Sequence, residues 1–189
     1  KPAGPTDIEP IADAFAKPPG AVLVVAGIGG PDAVRKLLVA LPRGFRRPVL
    51  VQLRLDGGRY DNLVKQMARV STLPVLMATA GEELSGARVY ILPEGVGVAD
   101  EGGLRFTDVP AGDEIVASLP PAESAALLLS GADPARVDAV LALATRGGHV
   151  AGQALEGCYD ASAVKLLAAG GAELAAPAQQ AEQLASRWA

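Results

Sequence analysis

Few residues in this chain carry side chains suited to covalent or acid–base chemistry, and their placement is the first constraint on function. The run AVLVVAGIGGPDAV, residues 21–34, joins a continuous apolar stretch to a glycine-rich turn and the opening of a helical pattern. In many α/β enzymes such a turn presents a nucleophile or cradles a phosphate. Here it holds Gly27, Ile28, Gly29 and Gly30, with no hydroxyl and no thiol. The remaining nucleophile candidates are Ser130, Cys158 and Ser162. A hydroxyl at the end of a strand, like that of Ser130, bonds backbone, and without a base it is a poor nucleophile. The one histidine, His149, follows Gly147 and Gly148 at the start of an apolar run. The one cysteine, Cys158, follows that run with no imidazole close by, so nothing lowers its thiol pKa.

One cysteine and one histidine exclude an internal disulfide and a cysteine-based metal site, and zinc would need more ligands. No metal and no cofactor is expected. An anion on the glycine turn is the lesser alternative. Asp32 in the first helical turn would compete with a phosphate, and the full dinucleotide fingerprint is absent. The glycines read instead as a strand-to-helix corner that needs positive φ and close packing.

The elements that must hold these residues are legible in the pattern. The chain has 189 residues, 50% hydrophobic and 20% charged, enough for one domain with a full core. A formal net charge of -4 argues against nucleic acid and anionic membrane, and 4% aromatic residues make a poor base-stacking surface. No apolar run approaches the roughly 18 residues of a membrane span, and no stretch reads as a signal peptide. A reducing, cytoplasmic setting is expected. The opening on Lys1 suggests an excised domain, with Pro-, Ala- and Gly-rich residues 1–20 as a linker or docked extension and 21–189 as the domain.

AVLVVA, PVLVQL, LPVLMA, ARVYIL, SAALLL and HVAGQ read as strands, with AELAA as a last short one. PDAVRKLLVAL, YDNLVKQMARV, DPARVDAVLALATRGG, DASAVKLLAAGG and AQQAEQLASRWA read as helices between and after them. In the second, Leu63, Met67 and Val70 share a face. The third opens with Asp133 as N-cap and Pro134 at its first position, and stops at Gly147 and Gly148. VGVADEGGLRF reads as a β-hairpin. The repeated βα units predict an α/β fold: a doubly wound, mostly parallel sheet with helices on both faces and a β-hairpin insertion. Sites in such sheets lie at the carboxyl ends of the strands. His149 should therefore sit at the opposite edge, as a structural residue, and Cys158 on the functional side.

The order of segments resembles the catalytic domain of CheB, the chemotaxis protein-glutamate methylesterase, from about Ala21 to Trp188. VVAGIGGPDAV stands where that family has an Ile-Gly-Ala-Ser-Thr-Gly-Gly turn. LPRGFRRPVLVQL resembles the run to its Val-Gln-His, and ARVYILPEGVGV its Val-Tyr-Ile-Ala-Pro-Gly-Gly segment. LLLSGADPARVDAVLALATRGGHVAGQ resembles its Thr-Gly-Met-Gly-x-Asp-Gly strand, helix and following strand. The resemblance implies a domain that follows a receiver domain and acts on methylated chemoreceptors through a Ser-His-Asp triad.

Carried over residue by residue, the serine falls on Gly27, the histidine on Leu53 and the aspartate on Ala135, with the neighbouring methionine on Ala132. All three triad positions lack the functional group. The family's longer segment before the penultimate buried strand is reduced here to TDVPAGDEIVASLPPAES, so its helix is expected to be shortened or lost. Ile28, Gly29, Gly30, Arg54, Ser130, Asp133 and Cys158 would then mark a vestigial cleft or binding surface. Arg54, Asp56, Arg59 and Asp61 form a polar cluster at its rim, and Ile28, Leu53 and Leu55 are apolar residues that could close it. The expected function is that of a catalytically inactive chemosensory module. It would bind a receptor tail, a receiver domain or a second copy of itself, in a chemotaxis or pilus-type chemosensory system. The alternative is an active esterase with relocated residues.

Overall fold

The computed structural model describes residues 17–55, 59–108 and 113–188. The expected linker over 1–20 lies largely outside the described residues, as does Asp56. Of the part that is described, Pro18 and Gly20 are buried.

The central strand β1 (Val22–Ala26) is apolar at every position because both of its faces are covered. Val22, Val24 and Ala26 join one core, and Leu23 and Val25 the other. On the first face Leu37 of α1 (Gly30–Ala40), Leu63 and Met67 of α2 (Tyr60–Ala68) and Leu184 of α6 (Pro177–Trp188) complete the layer. On the second face stand Ile115 of α3 (Asp113–Ser118), Leu143 of α4 (Val137–Thr145) and Leu167 of α5 (Ser162–Ala169). The period-2 alternation within one strand therefore divides the molecule into two cores.

The sheet has seven parallel strands in the order β3–β4–β2–β1–β7–β8–β9. The other strands are β2 (Val49–Leu53), β3 (Val75–Met77), β4 (Val89–Ile91), β7 (Ala125–Leu128), β8 (His149–Gln153) and β9 (Glu173–Ala175). The chain builds outward from β1 on one side, then returns to add β7 on the other, which makes the gap between β1 and β7 the switch point of the sheet. Strands β5 (Gly97–Asp100) and β6 (Leu104–Thr107) form the expected antiparallel hairpin. Phe106 of the hairpin meets Tyr90 of β4 edge to face, ring centroids 4.9 Å apart, which fastens it to the second core.

Two local expectations change. The helix after β7 begins with a 3-10 turn, Pro134–Arg136, before α4. Asp133 still caps it, accepting the Ala135 N–H at 3.0 Å. Val70 lies past the end of α2 and is half-buried, because that helix stops at Ala68. The segment before β7 keeps only a short helix, the six-residue α3, the shortened one of the two expected outcomes.

Candidate functional site

Register brings the triad-matched positions to one edge. Ala26 pairs with Leu53 across β1 and β2, and Val25 pairs with Leu128 across β1 and β7. Gly27, Leu53 and the β7–α4 loop that carries Ala135 thus meet at the carboxyl end of the sheet, at the switch point. A cavity of about 520 Å³ runs along this edge, lined among others by Leu53, Arg54, Tyr60, Glu94, Asp133 and Arg136. Closure by Ile28, Leu53 and Leu55 is not what the structure has. Ile28 is 69% exposed, because Gly29 turns the chain outward before α1, and the cavity stays open. Leu53 forms part of its floor, and Leu55 packs against the first core.

Two side-chain straps cross the end of β1. Arg54 donates to Asp133 at 3.2 Å, and Arg136 donates to Gln52 at 2.7 Å. Both join the end of β2 to the β7–α4 loop. Asp133 is held below the usual carboxylate range by the Ala135 N–H and by the two guanidinium groups. Burial and then the Glu94 carboxylate push the Tyr60 phenol up.

Beneath the straps, backbone meets backbone. Gly27 donates its N–H to Ser130 O at 2.9 Å, and a Cβ added at Gly27 would lie 2.2 Å from the Gly131 carbonyl oxygen. Gly29, at φ 78°, is the α1 N-cap, and a Cβ there would meet Tyr159 and Ser130 Oγ. Of the turn glycines, then, Gly29 supplies the positive φ, and Gly27 and Gly30 supply close packing.

The remaining nucleophile candidates are structurally engaged. Ser130 is buried; its hydroxyl donates to Ile28 O at 2.8 Å and accepts from Asp160 N at 2.9 Å. Its own N–H donates to the buried Gln153 at 2.8 Å. Cys158 is half-buried with its Sγ 3.4 Å from Asp160 O, and burial pushes its thiol up. Ser162 is exposed and donates to Asp160 Oδ1 at 2.8 Å. His149 opens β8 at the opposite edge, where burial and Arg187 lower its pKa. The chain's one imidazole is therefore remote from every candidate at the carboxyl edge.

Arg54 and Asp133 line the cleft as expected. Arg59 and Asp61 are exposed at the start of α2 and are not part of its lining. Gln52, Tyr60, Glu94 and Arg136 were not singled out by the sequence reasoning. A signal existed for two of them: Glu94 and Arg136 stand at glycine positions of the motifs quoted above, as Asp133 does. Among the described residues no group of three or more His, Cys, Asp or Glu could hold a metal ion.

The CheB methylesterase family model matches residues 22–184. Protein-glutamate methylesterase/protein-glutamine glutaminase 3 of Myxococcus xanthus is 31% identical over 135 residues, 66% of this chain and 38% of that protein. The protein-glutamate methylesterase/protein-glutamine glutaminase of group 3 operon of Rhizobium meliloti is 28% identical over 148 residues, 72% of this chain and 42% of that protein. The matched region thus spans well under half the length of these relatives. The crystal structure of the Thermotoga maritima CheB methylesterase catalytic domain superposes with a TM-score of 0.76 at 21% identity, covering 89% of this chain and 98% of that one. At that identity the likeness is one of fold, and the family match over residues 22–184 carries the assignment: the chain belongs to the CheB methylesterase family.

Proposed function

We propose that this domain serves chemosensory signalling as a binding and regulatory module that does not hydrolyse glutamyl esters. The observation that carries the reading is the position of His149. Hydrolysis by a triad needs an imidazole beside the nucleophile. The chain's one histidine opens β8, whereas Gly27, Leu53 and Ala135 lie at the other end of the sheet. The bonded state of Ser130 supports the same reading. Partners by family likeness are a receptor tail, a receiver domain or a second copy of the chain. The setting is cytoplasmic. Among the described residues no helix is long and apolar enough to cross a membrane.

The test is methyl-ester release from the methylated chemoreceptor of the same host, with an active family member as control and glutamine deamidation followed in parallel. The expected result is no release above the receptor-alone rate. Release at the control's rate would overturn the reading. Ser130, Cys158 and Ser162 would then be the residues to replace first, as the nucleophiles of a relocated esterase.

A further inference from the structure

The open cleft carries an uneven charge arrangement. Arg54 and Asp133 pair, and Arg136 donates to the neutral Gln52 and keeps its positive charge on the β7 side of the cleft. On the wall formed after β4, Glu94 lines the cavity, is exposed, and makes no salt bridge among the described residues. Tyr60, half-buried at the start of α2, lines the same cavity. Both side chains face this one cavity, and the Tyr60 phenol feels the Glu94 carboxylate across it. Between them and β1 the floor is apolar, from Val25, Ala26, Leu53 and Leu92.

A carboxylate and a phenol ring beside an apolar floor form a recognition site for an alkylammonium group. The carboxylate supplies charge, the ring face a cation–π contact, and the floor takes the methylene stem. A cavity of about 520 Å³ is in the size range of small-ligand sites and has room for such a group. The chain's overall charge of -4 also favours the approach of a cation. We infer that the cleft binds a primary alkylammonium group, its cation between Glu94 and Tyr60 and its stem along Leu53 and Leu92. The ligand is either a free alkyl amine or a lysine side chain of a protein partner. This deepens the reading of the cleft as a binding site and requires no hydrolysis.

The experiment is a titration of the ¹⁵N-labelled protein, followed by amide chemical shifts, with 1,5-diaminopentane and separately with N-acetyl-lysine amide. Glutarate serves as the opposite-charge control. Saturable shifts clustered around residues 53, 60 and 92–95, with either amine, are expected. The Glu94→Gln variant, an exposed and isosteric change, should bind about tenfold more weakly. Binding of the diamine alone would point to a free amine, and binding of the lysine amide alone or of both to a lysine side chain. The proposal is overturned if neither amine shifts these amides at about 10 mM, a range weaker than millimolar binding. It is equally overturned if glutarate binds in their place, or if Glu94→Gln leaves the affinity unchanged. No ester is present, so failure here leaves the proposed loss of hydrolysis standing, and ester release would leave the amine result standing.

Discussion

The hydroxyl of Ser130 shows how a nucleophile-type residue can become a structural joint. It links three segments: the β1–α1 turn through Ile28 O, its own strand end, and the loop after β8 through Asp160 N. Its replacement by alanine would leave the part-buried Ile28 carbonyl and Asp160 N–H short of a partner. The expected cost for Ser130→Ala is about 1–3 kcal/mol in urea unfolding. A fluorophosphonate probe is expected to leave the wild-type protein unlabelled, since no imidazole reaches this or any other serine at the edge; labelling at Ser130 would contradict that. The sequence allowed this reading because a hydroxyl with no base within reach has few roles left. Arg136 and Glu94 escaped it, since a charged residue in a loop is usually solvated and nothing local says that it faces a cavity.

At the scale of elements, the β7–α4 connection depends on Asp133. Its carboxylate caps the first turn and pairs with Arg54. Both partners are substantially exposed, so the ion pair adds little and the cap dominates. Asp133→Ala is expected to lower stability by about 0.5–2 kcal/mol at neutral pH. The native carboxyl titrates below its ordinary value of 3.8. Its contribution is therefore complete above that pH and is lost as the pH falls through the lower native value. The gap in thermal midpoint between wild type and Asp133→Ala should accordingly close on acidification from pH 5 to about 2.5. A constant gap would mean that the lost interaction is not electrostatic. Asp133 and Pro134 were readable as a helix start because cap chemistry is local. The 3-10 geometry of the turn was not, because it depends on how the loop meets Gln52 and Gly27.

For the whole molecule, the two ends of the sheet differ in character. The carboxyl end holds the cavity, and the amino end holds His149 between Glu173 and Arg187. Burial and Arg187 keep its imidazole below the usual 6.5 in the native state, so the unfolded chain takes up the proton first. Stability from this residue is complete above about pH 6.5 and declines as the pH falls through the native value. Melting curves from pH 7.5 to 5 should show wild type losing stability faster than His149→Asn, which has no proton to gain; parallel profiles would refute it. The two-sided core was visible in the uninterrupted apolar run of residues 21–26, and the parallel sheet in the alternation of strands and helices. Strand order was not, because nothing in a strand's own residues says which side of β1 it joins. The pairing of β1 with both β2 and β7 supplied that order, and register then showed which loops share the edge.

The contact between Gly27 and Gly131 has a historical consequence. The Gly131 peptide occupies the space that a side chain at position 27 would need. A mutational path that installs a hydroxyl there passes first through a protein strained by that collision, with no imidazole at Leu53 and no carboxylate at Ala135 to make the hydroxyl useful. Each step taken alone is strained or idle. The corner is thus locked by packing, and a hydroxyl at position 27 would require the Gly131 peptide to move first.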